Sequence, residues 1–328
     1  MSRDVVIAGF GTVGRAVARA ISVSAPDKVR IVGVAKSTGC LFDASGLDVS
    51  DLLARHEAGT LQEAPVWCEW DVPHLLDEAR ASVLMDATPT DITTGEPGLT
   101  NILHGIGLGM DVVAATKGPF VAAFTRVMEA AREKGVEVRY EATVAGAVPV
   151  FSMARSCMRG DRVLSVDGIL NGTSNYILSK MEETGASFDL ILAKAQELGY
   201  AEADPTADVE GGDAAAKLVI LANTFFGGRW SYEDVARVGI SAVTPEALEL
   251  ARDEGFTIKL LASASPEGLE VRPQLVPRGS ALAVPGVLNA VRFRMERAKE
   301  LVLIGRGAGG DETAAAMLND LLTLPERA

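Results

Sequence analysis

Cysteine, histidine, basic clusters and long apolar runs are all scarce in this 328-residue chain, and each scarcity removes a class of chemistry. The three cysteines, Cys40, Cys68 and Cys157, lie far apart with no CxxC spacing, which points to neither a disulfide framework nor a zinc site. The three histidines, His56, His74 and His104, are equally scattered and read as surface or capping residues. A histidine-based dyad and zinc-dependent hydride transfer are therefore set aside. No apolar run approaches the ~20 residues that cross a bilayer. A formal net charge of -13, with no basic cluster to override it, disfavours nucleic acid and anionic membranes as partners. The opening MSRDVVIAGFGTVG lacks the basic region, apolar core and small-residue cleavage site of a signal peptide, so a cytoplasmic location is expected. Chemistry is left to Lys, Asp, Glu and backbone groups.

What is present is a chain rich enough in apolar residues, at 48%, to bury two cores without staples. DVVIAGFG reads as a strand into a glycine turn, TVGRAVARAI as a helix and VRIVGVA as a second strand. SVLMDAT and DVVAAT continue the series, with helices expected from Pro97 to Gly109 and from Phe120 to Lys134. Strands alternating with helices predict an α/β domain with a doubly wound parallel sheet. After YEATVAGAVPV the rhythm changes, so a boundary falls near residue 146 and an α+β domain follows. Its helices give way to the strands FTIKLLASAS and LEVRPQLVP across a PEG turn. The tail, a strand, a glycine turn and a helix, resembles the first domain. The expected division is 1–146 plus 305–328, and 147–304.

Gly9, Gly11 and Gly14 form a GxGxxG between a strand and a helix, the context in which the motif binds a dinucleotide. The first glycine makes the turn, the second lets backbone approach the pyrophosphate, and the third allows close helix–strand packing. Phe10, Thr12 and Val13 fill the same loop, whose free amide groups receive the phosphate. At the end of the second strand an acid would bind a ribose 2′-hydroxyl and a base a 2′-phosphate. Lys36 stands there with Ser37 and Thr38, which selects NADP first and NAD second.

GGDAAAKLVILA places Asp213 and Lys217 four residues apart on one helix face. On a surface such a pair contributes only about 0.3 to 0.5 kcal/mol. This helix is apolar on nearly every face, so its two charges are expected to be buried and to need partners or a task. Glu202, Asp204 and Asp208 lie just upstream around a proline turn, so several carboxylates can converge on a cationic ligand group such as an amino acid's ammonium.

The motifs GFGTVG, TPTDITTGEPGL, VVAATKGPF, YEATVAGAVPV, GILNGTSNYIL, ELGYAEADPTADVEGGDAAAKLVILA and GRGAGGDETAAAMLNDLL, in this order, resemble the homoserine dehydrogenases over nearly the whole chain. The resemblance implies a Rossmann-type nucleotide domain, a substrate-binding and dimerisation domain, and a last helix returning to the first. It implies reversible oxidation of L-homoserine to L-aspartate 4-semialdehyde by NAD(P), on the route to threonine and methionine, in a homodimer. Carried over by position, Glu202 and Asp213 hold the substrate and Lys217 donates the proton, with Lys117 as the rival lysine beside the nicotinamide. Thr88, Gly199 and Gly307 contact the cofactor. Glu141 and the carbonyls of Val144, Gly146 and Val148 hold a monovalent cation, sodium by first choice.

Two positions depart from the family pattern. Thr116 replaces the asparagine that usually precedes the first lysine, and a hydroxyl cannot reproduce a carboxamide's fork. Ala147 replaces a glycine. The resemblance further implies a short form without the appended regulatory domain of many relatives. Two other readings stay open: a related dehydrogenase of another small amino or hydroxy acid, and a non-catalytic nucleotide-binding paralogue.

Overall fold

The structure is a computed structural model describing residues 2–326. It comprises two compact units. The first runs through Thr143 and resumes at Gly309; the second is Val144–Ala308.

The first unit opens with β1 (Arg3–Ala8), α1 (Thr12–Ser24), β2 (Val29–Lys36) and β3 (Gly39–Phe42). It continues with α2 (Val49–Ala58), β4 (Trp67–Cys68), α3 (Val72–Ala79), β5 (Val83–Asp86), α4 (Gly98–Gly107) and β6 (Asp111–Ala114). Then follow α5 (Gly118–Ala122), α6 (Phe124–Lys134) and β7 (Val138–Arg139). The strands form one sheet in the order β4-β3-β2-β1-β5-β6-β7. β2, β1, β5, β6 and β7 are mutually parallel, and β3 and β4 add an antiparallel edge. Val5–Ala8, Val83–Asp86 and Asp111–Ala114 are buried throughout, which is why these strands read as unbroken apolar runs rather than alternating ones.

The chain steps from β1 to β2 on one side and then crosses to β5 on the other. The carboxyl ends of β1 and β5 therefore flank a topological switch point, where open α/β sheets bind ligands. One expected helix is really two. The run from Phe120 to Lys134 is interrupted at Ala123, whose φ of -147° ends α5 and begins α6.

The second unit contains α7 (Val150–Cys157), β8 (Val163–Ile169), α8 (Gly172–Thr184), α9 (Phe188–Glu197), α10 (Thr206–Val209) and α11 (Gly212–Phe226). β9 (Val235–Arg237), α12 (Pro245–Asp253), β10 (Phe256–Ser265), β11 (Gly268–Pro277), β12 (Leu288–Met295) and β13 (Lys299–Arg306) complete it. Its sheet runs β13-β12-β8-β10-β11-β9 and is antiparallel except where β9 joins β11. α11 packs on β10 and β11 and is buried from Ala214 to Asn223.

The tail divides differently from its sequence reading. β13 pairs along its whole length with β12, from Leu288 opposite Arg306 to Met295 opposite Lys299, and so belongs to the second sheet. Only the last helix, α13 (Gly310–Leu322), returns to the first unit, where Ala314, Met317, Leu318 and Leu321 join the core beside Ile7, Val17 and Ile21.

Candidate functional site

In the first unit the glycine loop has the shape a dinucleotide needs. Gly9 adopts φ +91°, a conformation open to glycine, and a Cβ there would stand 2.5 Å from the Ala87 carbonyl oxygen. A Cβ at Gly14 would collide with the Gly9 carbonyl. At Gly11 it would meet nothing within 4 Å. The first and third glycines are thus required by the fold, while the second faces open space at the start of α1. That helix start has no side-chain cap and no acid in its first turn, so its amide groups and positive dipole end suit a phosphate.

Thr88 and Lys117 sit at the carboxyl ends of the neighbouring strands. Thr88 follows β5, and both its amide and its hydroxyl donate to Asp86 Oδ1, at 3.0 and 2.6 Å. Asp86 is fully buried and also accepts from Asn101 Nδ2 at 3.1 Å; burial nevertheless holds its carboxyl above the usual range. Lys117 follows β6 as the first residue before α5, and its amide donates to Thr90 Oγ1 at 3.2 Å. Beside it Thr116 is buried, with its hydroxyl 3.5 Å from the Pro89 carbonyl.

Lys36 ends β2 as expected, and it has company that sequence reasoning missed. The Arg15 guanidinium from α1 bonds His56 Nε2 from α2, and burial first, then the charges of Arg15 and Lys36, lower the His56 pKa. His56 is therefore not a simple surface residue. It also meets Phe10 edge-on, with ring centroids 5.9 Å apart, and its Nδ1 is buried without a partner. A neutral imidazole that accepts through Nε2 carries its proton on Nδ1, so a donor is left waiting beside two cations. These groups fit a phosphate-bearing dinucleotide.

Cys40 and Cys68 are far apart in the chain but directly opposite across β3 and β4. Cys40 is buried, and burial followed by the neighbouring Cys68 pushes its thiol up to about 11. His74 stacks on Trp70, with centroids 4.6 Å apart, and His104 pairs with Asp77 at 2.9 Å.

In the second unit the charges of α11 converge with two loops. Gly211 caps the helix at φ +78°, and a Cβ on Gly212 would stand 2.9 Å from the Tyr232 hydroxyl, so the paired glycines set the entry of the helix. Lys217, only 8% exposed, donates from Nζ to Asp213 Oδ2 at 2.7 Å and to the Leu170 carbonyl at 2.6 Å. An ammonium has three donors, so one more is available to a ligand oxygen.

Asn171 was not singled out from the sequence. Its Oδ1 caps α8 by accepting from the Ser174 amide at 2.8 Å, while its Nδ2 donates to Asp208 Oδ1 at 2.6 Å and Asp213 Oδ2 at 3.0 Å. One carboxamide thus holds two acids together. Burial and the charge of Asp213 raise the Asp208 pKa, against the hydrogen bonds of Asn171 and Thr173 and the charge of Lys217. Asn-Gly-Thr-Ser after a strand is a recognisable helix start, but its second role joins residues about forty positions apart.

Glu202 stands on the exposed loop after α9, where its backbone carbonyl accepts from Gln196 Nε2 at 3.0 Å. Among the described residues no hydrogen bond or ion pair joins its carboxylate to Asp213 or Lys217. Asp204 is spent on its own turn, accepting from the Thr206 amide at 3.1 Å. Gly199 is exposed with φ +75°. Gly307 has a packing reason for lacking a side chain, because a Cβ would run into the Asn289 carboxamide, whose polar atoms are buried without partners. Glu141 lies buried in the first unit, its amide donating to Asp320 Oδ2 at 2.8 Å, and Val144, Gly146 and Val148 open the second. Ala145 and Gly146 both adopt left-handed backbone, with φ +58° and +55°.

The arrangement can hold a phosphate-bearing dinucleotide in one unit and offer an ammonium flanked by carboxylates in the other. Comparison with known proteins agrees. A model of the family described as homoserine dehydrogenase matches residues 149–322. The homoserine dehydrogenase of Methanocaldococcus jannaschii is 41% identical over 97% of this chain and 97% of its own. An NAD(+)-dependent homoserine dehydrogenase of Pseudomonas canavaninivorans is 33% identical over 98% and 96%. Among solved structures, one from Archaeoglobus fulgidus has a TM-score of 0.89 and 40% identity over 98% of both chains. A hyperthermophilic archaeal homoserine dehydrogenase in complex with NADPH has a TM-score of 0.86 and 26% identity, over 98% of this chain and 97% of that one.

Proposed function

The chain belongs to the homoserine dehydrogenase family, and from that membership we propose an NADP-preferring enzyme in which Lys217 is the proton donor. As a member it is an NAD(P)-dependent oxidoreductase acting on a CH–OH group, interconverting L-homoserine and L-aspartate 4-semialdehyde. The observation that carries the proposed mechanism is the Asp208–Asn171–Asp213–Lys217 network.

Bound nicotinamide dinucleotide supplies the hydride for reduction and receives it on oxidation. The carboxylates of Glu202 and Asp213 hold the substrate's ammonium in our reading. Lys217 Nζ, oriented by the Leu170 carbonyl and Asp213, aims its remaining N–H at the substrate's oxygen. As alkoxide charge develops there, the ammonium stabilises it and transfers a proton; in the reverse direction Nζ takes the proton back. Lys117, at the carboxyl end of β6, is the alternative proton carrier.

Gly9 to Gly14 cradle the pyrophosphate in the same proposal, with Thr88, Gly199 and Gly307 as further cofactor contacts. The preference for NADP is supported by Lys36 and by Arg15, whose charge lies beside His56. A 2′-phosphate would bring these cations an anion; a ribose hydroxyl would not. Lys36→Ala and Arg15→Ala should each lower kcat/KM for NADP by about tenfold or more, the scale of one lost charge-assisted bond, and leave NAD nearly unchanged. Equal losses with both cofactors would remove the phosphate role.

The family resemblance supports our proposal that Glu141 and the carbonyls of Val144, Gly146 and Val148 hold a monovalent cation, sodium in our reading, since oxygen donors suit a hard cation. A homodimer is proposed through the second unit's sheet. The cross-strand neighbours Asp167, Arg292 and Val302 share one of its faces with half-exposed Ile304, a mixed surface on which a second copy can pack. A cytoplasmic location follows from the biosynthetic reaction. Among the described residues no helix is long and apolar enough to cross a membrane.

A further inference from the structure

Lys259 on β10 is a buried cation that the reaction does not use. It is 2% exposed, and its ammonium donates to two neutral acceptors, Asn175 Oδ1 at 2.9 Å and Ser179 Oγ at 3.0 Å, both on α8. Among the described residues no carboxylate lies within ion-pairing distance of it. Glu182, the acid whose charge acts on it, is already engaged, bonded by the Arg278 guanidinium and by Thr257 Oγ1 at 2.7 Å. Taking an ammonium out of water without a counter-charge is costly, and neutral hydrogen bonds offset only part of that cost.

The same lysine lines a cavity of about 640 Å³, within the range of small-molecule sites. Four cations, Lys180, Arg252, Lys259 and Arg278, face two acids, Glu182 and Glu183, around it. In a protein of net charge -13 this is a local inversion of sign. Three of the four cations have acidic partners: Lys180 with Glu183 at 2.6 Å, Arg252 with Glu249 at 3.3 Å, and Arg278 with Glu182. Lys259 is the one left over, at the buried end.

We propose that the second unit carries an anion-binding site built on Lys259 and Arg278, distinct from the Asp208–Asp213–Lys217 cluster, for a small carboxylate- or phosphate-bearing molecule. Its distance from the substrate cluster follows from α8. Ser179 is eight residues beyond Asn171, about 12 Å at the rise of an α-helix. Asn175, held by Lys259 on one side, donates on the other to the carbonyls of Val284 and Leu288, at 3.2 and 3.0 Å. An anion on Lys259 would therefore be felt by the helix whose N-cap, Asn171, gathers the two acids of the proposed substrate site. Desolvation pushes the pKa of Lys259 down to about 8, and a bound oxyanion would stabilise the charged form.

The test uses the full chain with saturating NADP, so that the cofactor's own phosphate site is filled, and follows thermal melting with inorganic phosphate, succinate or chloride at matched ionic strength. Phosphate, succinate or both should raise Tm above the chloride control by at least about 2 to 4 °C, and the arm that responds names the headgroup. Arg278→Ala and Lys259→Met should both abolish that increment, whereas Lys217→Ala should keep it. If Lys259→Met does not fold, the half-exposed Arg278 decides alone. An increment no larger than that of chloride, or one that survives in folded Arg278→Ala, would overturn the site.

Discussion

Lys217 has two of its three donors committed to Asp213 and Leu170, so its position is fixed by the protein, and in the proposed mechanism its last donor is the one that meets the substrate. The proposed role is a transition-state one, because a hydrogen bond to a carbonyl strengthens as the oxygen becomes an alkoxide. Lys217→Ala should lower kcat by about 10² to 10⁴, with a smaller change in the KM for homoserine, as steady-state kinetics would record. Near-normal turnover, with the large loss appearing in Lys117→Ala, would move the role to Lys117. Lys259 makes a different kind of prediction. Glu182 and Arg278 are its charged neighbours, and burial dominates them, lowering its pKa from 10.5 to about 8. The folded protein then binds fewer protons than the unfolded chain between these values, so this group's contribution to stability rises with pH across that window. Urea unfolding of wild type and Lys259→Met should therefore show wild type gaining relative to the variant from about pH 8 to 10; curves that stay parallel would contradict the burial effect.

At the scale of elements, the parts that could be read from sequence are those whose signals are local. The β1–turn–α1 unit was legible because three glycine positions and an apolar strand lie within a dozen residues, and α11 because its apolar faces leave Asp213 and Lys217 conspicuous. β3 and β4 were missed because they are four- and two-residue strands at a sheet edge, too short for any periodicity. With them went the meeting of Cys40 and Cys68. β13 was drawn toward the wrong domain by the glycine turn and helix that follow it, while its antiparallel pairing with β12 is a non-local fact. Asn171 shows the same limit, since its cap is local but its grip on Asp208 and Asp213 crosses α8, α10 and α11. Asn171→Ala should cost about 1 kcal/mol in thermal stability through the lost cap, and a larger share of kcat/KM through release of the acids. Asn171→Asp should spare the cap yet still depress activity, because it adds a third negative charge to the cluster. Parallel stability and kinetic measurements separate the two roles, and full activity in the aspartate variant would mean that the carboxamide does not organise the acids.

For the whole molecule, the proposed reaction draws on a separate set of residues in each unit. The first brings the glycine cradle and its attendant cations, and the second brings the lysine with its carboxylates. The scarcity of histidine and cysteine fits this division, because nothing in either half calls for an imidazole base or a thiolate. The most direct measurement is the appearance of reduced nicotinamide absorbance when purified protein is mixed with L-homoserine and either NADP or NAD at alkaline pH. Homoserine-dependent reduction, faster with NADP and lost in Lys217→Ala, is the predicted result. Binding of both cofactors with no homoserine-dependent reduction of either would contradict the account at its centre.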